Sequence, residues 1–165
     1  MQSDRQTTKF YTLWIYGFIA GFLATLTFHQ GALLILRAAG IAPFGPFSMA
    51  ATHPWGIPAV ISLALWGGVW GVLFAFLQSP FAVVSNYWIR AFLFGAVFPT
   101  MVALLMVLPL KGKPVGGGWH WQLLLTAFLT NGAWGFGTGF FLKPMLRFFK
   151  GRHAPSPECA PGMTC

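Results

Sequence analysis

The sequence predicts an all-α integral membrane protein with four transmembrane helices, and three observations carry that prediction. Apolar residues make up 56% of the 165-residue chain and charged residues 7%, whereas a soluble domain has about a quarter of its residues charged. Four separated runs, at about residues 11–36, 57–77, 89–108 and 119–142, are almost free of charge. Each reaches the roughly 20 residues that a helix rising about 1.5 Å per residue needs to cross a bilayer. The basic residues sit in flanks, loops and run ends, and the two acids, Asp4 and Glu158, lie near the termini.

A net charge of +8 in a soluble chain would suggest nucleic acid. In a chain this apolar, Lys and Arg beside the spans set topology and meet anionic headgroups instead. The partner it implies is the lipid bilayer, with no nucleic acid.

The first run follows Arg5 and Lys9, an arrangement that also opens secretory signals. A cleaved signal has an apolar core of about 7 to 15 residues, and residues 11–36 continue well beyond that, so the run reads as a retained helix. Gly17, Gly21, Thr25 and His29 recur every fourth residue and form one slowly turning, narrow face of the kind that lets helices approach closely.

Residues 37–56 form the longest connection. Pro43, Pro46 and Pro54 deny it a regular helix. Its Phe44, Phe47, Met49 and Trp55 suit a loop lying on the membrane surface or dipping against the bundle, the latter only where protein or a wet cavity covers its polar groups.

In the second run, Pro58 suits a first helical turn, and Gly67 and Gly71 form a GxxxG pair. Residues 78–80 close that run, and Phe81 opens an aromatic link to Trp88. The third run contains Pro99, which should kink the helix and free a carbonyl. Lys111, Lys113 and the glycines 116–118 make a flexible positive turn. They lack the lysine spacing and strand-to-helix setting of a phosphate loop. The fourth run contains Asn131, Gly135 and Gly139. The membrane domain thus spans residues 1–150, and the Pro-rich residues 151–165 should form a disordered cytoplasmic tail.

Charge orients the bundle. With the N-terminus inside, Arg5, Lys9, Arg90, Lys143, Arg147, Lys150 and Arg152 fall on the inner side, and only Arg37, Lys111 and Lys113 on the outer. That bias places both termini in the cytoplasm, consistent with a bacterial inner membrane.

An internal repeat overlies this plan. Shifted by 64 residues, residues 68–80 overlie residues 132–144 with Gly68, Trp70, Gly71, Phe76 and Pro80 matched by Gly132, Trp134, Gly135, Phe140 and Pro144. Shifted by 74, Gly17 and Gly21 meet Ala91 and Gly95. The pattern suggests two parallel-repeated helical hairpins. Gly17, Gly21, Gly67, Gly71, Gly135 and Gly139 are then the expected helix-packing positions.

Candidate chemistry is sparse. His29 is the ionisable side chain placed well inside a span, a functional candidate by default, and also a plain choice for a hydrogen bond between helices. Gln30 is beside it but about 100° round the helix, and Asn131 lies mid-span on a small-residue face. The three are the ligand- or proton-handling candidates, with residues 43–55 closing the site from outside. His53 and His120 lie on the same outer side, but the spacing offers no metal motif, so no metal or cofactor is expected. Cys159 and Cys165 match no redox or zinc pattern. No nucleophile-base pair and no paired carboxylates point to a hydrolase. Two functions fit: a non-catalytic membrane protein that binds or helps assemble a larger membrane complex, with a membrane-protein partner, or a small transporter or channel subunit acting as a homo-oligomer.

Overall fold

A computed structural model describes residues 2–77 and 86–152. Helix α1 runs as Gln2–Ala24, passes through a π-helical turn at Thr25–His29, and continues as Gln30–Ala38. Helix α2 is Ala59–Leu77. Helix α3 is Tyr87–Val102, a second π-helical turn at Ala103–Val107, and Leu108–Leu110, and α4 is the 32-residue helix Trp121–Arg152. Among the described residues the fold is all-α apart from a two-residue antiparallel ladder, β1 (Ala51–Thr52) on β2 (Ile57–Pro58).

Among the described residues, three helices are long and apolar enough to cross a membrane: Phe10–Ala38, Ala59–Leu77 and Tyr87–Leu110. The sequence reading counted four such runs, and α4 is the one that falls short, in apolarity rather than in length. It carries Gln122, Thr126, Thr130, Asn131 and Thr138 among its glycines. Its position accounts for that composition, because α4 packs against both α1 and α3, and Thr126, Thr130 and Thr138 are buried. A helix screened by neighbours on two sides needs less apolar surface than one facing lipid.

Each hairpin closes on glycine. A Cβ on Gly17 would come within 2.8 Å of the Gly71 carbonyl oxygen, and one on Gly21 within 2.9 Å of the Gly71 Cα. Gly67 opposes Gly21 and the Thr25 hydroxyl. As positions rise on α1 they fall on α2, so the pair is antiparallel. In the second hairpin a Cβ on Gly95 would lie 2.8 Å from the Gly135 Cα, one on Gly135 3.0 Å from the Gly95 Cα, and one on Gly139 3.1 Å from the Ala91 Cβ. Flanking these contacts, Phe18 covers Gly68 and Phe92 covers Gly132. Offsets of 74 on the odd helices and 64 on the even ones turn the first set of contacts into the second. Between hairpins, α2 and α3 meet through Trp70, Phe74 and Phe94, with ring centroids 6.3 and 5.2 Å apart.

Two helix starts differ from the sequence reading. Pro58 ends β2 instead of opening the second helix, because Ala59 and Val60 donate their N–H groups to Ala50 and Ser48 of the first connection. Helix α4 begins at Trp121 rather than at residue 119. Gly116, Gly117, Gly118 and Trp119 hold φ between 57° and 73°, a left-handed stretch that glycine tolerates and a helix does not. The expected tail begins inside α4, which continues past Pro144 to Arg152. Residues 78–85 and 153–165, including Cys159 and Cys165, lie outside the described residues.

Candidate functional site

The π-helical turn of α1 places the candidate side chains. At its end the Gln30 N–H reaches back to the Thr25 carbonyl, an i to i−5 bond that inserts one extra residue into the turn. Such insertions recur at functional positions in helices. Thr25 is fully buried and its hydroxyl donates to the Gly21 carbonyl at 2.9 Å. The Trp134 indole of α4 donates to the same carbonyl, also at 2.9 Å, so one oxygen at the α1–α2 crossing also ties in the fourth helix. Phe28 fills the groove above Gly137, with its ring 5.8 to 6.0 Å from those of Phe136, Phe140 and Phe141.

His29 ends this turn at 9% exposure, and its Nδ1 is buried with no hydrogen-bond partner. A neutral imidazole presents one donor and one acceptor, and leaving either unmade in a buried place costs about 1 to 3 kcal/mol. Gln30, at 2% exposure, is engaged: its Oε1 accepts the Phe47 N–H at 2.7 Å. That bond fastens the first connection to α1 beside His29. Asn131 is committed to α3, where its Nδ2 donates to the Thr100 hydroxyl at 2.9 Å, and Thr100 donates onward to the Ala127 carbonyl at 3.3 Å. Asn131 is thus held by Thr100, and no hydrogen bond joins it to His29.

The structure adds a stripe that sequence reasoning missed. Thr126, Thr130, Trp134, Thr138 and Leu142 recur every fourth residue on α4 and are all buried, one residue away from the stripe of Ala127, Asn131, Gly135 and Gly139. Thr130 and Thr138 donate back to the carbonyls of Thr126 and Trp134. Thr126 Oγ1 is buried without a partner. The signal is the threonine spacing itself, masked because Trp134 interrupts the threonines along the stripe and Leu142 ends them.

His53 and His120 are exposed, and among the described residues no three His, Cys, Asp or Glu side chains gather into a group able to hold a metal. At the start of α3, Lys143 lies over the Tyr87 and Trp88 rings at 5.1 and 5.0 Å, and the Tyr87 hydroxyl donates to the Gly139 carbonyl at 3.0 Å. Comparison with protein families, curated proteins and solved structures finds no match.

Proposed function

We propose that this chain is a non-catalytic, multi-pass membrane protein that binds, or helps assemble, a larger membrane complex. The observation that carries this reading is where its interior polarity goes. Trp134, Thr25, Thr100, Asn131, Thr130 and Thr138 all spend their donors on the bundle itself, and the hairpins close at glycine contacts that leave no room for a Cβ. A bundle so engaged offers packing surface rather than reacting groups. Large apolar side chains on every helix, among them Trp14, Trp66, Met101 and Phe140, face outward and supply that surface.

In this reading all four helices cross the bilayer as two parallel hairpins, α4 spanning because Thr130, Asn131, Trp134 and Thr138 are bonded inside. The repeated glycine contacts support the hairpin relationship, and the charge bias supports both termini in the cytoplasm of a bacterial inner membrane. Purification of the tagged chain from native membranes, followed by sizing and identification of co-purifying chains, tests the function. A stable heteromeric complex supports it, and a homo-oligomer alone counts against it. Reporter fusions near residues 45, 115 and 155 test the topology, and an outward signal near 155 would overturn it.

A second reading, an oligomeric transporter or channel subunit for a solute or ion, is favoured by one observation. The unpartnered, buried Nδ1 of His29 is a polar atom the bundle does not use. This version requires a homo-oligomer, since four helices make a thin wall for a pore.

A further inference from the structure

We propose that the first connection, residues 39–58, is a membrane-interface anchor, fastened at the edge of the hydrocarbon layer by Gln30. Its occupant is the headgroup and upper-chain layer of the bilayer, and the inference rests on the membrane-embedded reading above.

Depth gives the first argument. The apolar span of α1 runs from Phe10 to Ala38, 29 residues, and rises about 43 Å, a hydrocarbon core of about 30 Å plus headgroup layers. With Phe10 at one edge of the core, the last two turns from Gln30 fall in the opposite interface, and His29 lies nearer that interface than a span of 11–36 predicts. Gln30 Oε1 holds the Phe47 N–H at 2.7 Å. The middle of the connection therefore lies beside the last two turns of α1, not above its end at Ala38, and sits at the boundary between chains and headgroups.

Composition and exposure give the second. No charged residue occurs between Arg37 and Arg90, and Trp55 and Met49 are 82% and 70% exposed, with Phe44 and Phe47 exposed beside them. Leu34 and Ile35 on the adjoining turn of α1 are exposed too, so the apolar surface of the connection continues that of the helix. Tryptophan in particular collects where one side of its ring is apolar and the other wet.

The backbone gives the third, because a segment can enter a poorly hydrated layer only when its polar groups find partners within the protein. Here Ile41 and Ala42 donate to the Leu36 carbonyl, Gly56 to Thr52, Ala59 to Ala50 and Val60 to Ser48. The Arg37 guanidinium donates to the Ala42 carbonyl at 3.1 Å, and Thr52 Oγ1 to the Ile57 carbonyl at 2.8 Å.

The test uses the full chain with Cys159→Ser and Cys165→Ser, carrying one new cysteine at a time: Trp55→Cys, Met49→Cys, and Ile19→Cys on the exposed face of α1. Each is labelled with an environment-sensitive fluorophore and reconstituted into phosphatidylethanolamine and phosphatidylglycerol vesicles. The expected result is a blue-shifted emission at positions 49 and 55, quenched more by lipids brominated near the headgroup than by lipids brominated near the chain end, with little loss to aqueous iodide. Adding Gln30→Leu should shift the position 49 emission to the red and open it to iodide. Water-like emission and full iodide quenching at both 49 and 55, with position 19 protected, would overturn the anchor and leave the membrane reading standing. Iodide access at position 19 as well would overturn both. An unchanged depth at position 49 in the Gln30→Leu chain would remove Gln30 as the fastening.

Discussion

The indole nitrogen of Trp134 donates to the carbonyl oxygen of Gly21 at 2.9 Å across a separation of 113 residues. That oxygen sits in the glycine contact between α1 and α2, opposite Gly67, so the bond joins the last helix to the crossing of the first hairpin. Trp134→Phe keeps most of the ring and removes the donor, while the Thr25 hydroxyl still reaches the same oxygen. The expected loss is about 1 kcal/mol. Trp134→Ala should cost about 3 to 5 kcal/mol by leaving a cavity. Unfolding of both variants in detergent, followed by near-ultraviolet circular dichroism, measures the difference, and equal losses would show that the bond accounts for the whole effect and the packing of the ring for none of it.

Glycines should separate by what surrounds them. Gly71→Leu and Gly135→Leu force a side chain into the opposing backbone, and overpacking of this kind costs about 1 to 3 kcal/mol or prevents assembly. Gly31, in α1, has nothing within 4 Å of a built Cβ. Gly31→Ala should leave stability unchanged or raise it by up to about 1 kcal/mol, through helix propensity alone. Thermal midpoints in one detergent rank the variants, and a Gly31→Ala loss matching the leucine variants would refute the packing account.

The Asn131 amide and the Thr100 hydroxyl should be coupled but weakly. Hydrogen bonds between helices in membranes are worth about 0.6 kcal/mol on average. A cycle of Asn131→Leu, Thr100→Val and the double variant should give a coupling near that value. Zero coupling would place their 2.9 Å contact outside the energetics of the bundle.

His29→Leu should keep or raise stability, because it removes a buried nitrogen without a partner and leaves no bonded group stranded. In a deletion background, His29→Ala, His29→Gln and Asn131→Leu should be scored for abundance and for recovery of the native complex or transport. Lost activity at normal abundance assigns His29 a ligand. Activity falling only in step with abundance, together with a destabilised His29→Leu, makes it a helix contact.

The hairpin contacts were legible because packing glycines leave a period. The offset of 64, read from Gly68, Trp70 and Gly71, and that of 74, read from Gly17 and Gly21, together carry Phe18 on Gly68 into Phe92 on Gly132. Only one face of α4 was legible. The stripe of Ala127, Asn131, Gly135 and Gly139 announces itself by small residues, whereas that of Thr126, Thr130, Trp134, Thr138 and Leu142 mixes threonines with large side chains and carries no small-residue period. The Gln30 bond to Phe47 was hidden for another reason: its donor is a backbone N–H, which every non-proline residue carries and no composition reveals. The π-helical turns leave no mark in residue type at all.

The polar stripes of α4 also bear on how the protein is made. Its donors find acceptors or partners on Gly21 and Thr100, both in segments translated earlier. A nascent α4 entering the bilayer alone would carry that amide and that indole into lipid unpaired, at a cost that its own apolarity covers poorly. If α4 crosses the bilayer as proposed, its entry is conditional on α1 and α3 being in place, and the order of synthesis becomes the order of assembly.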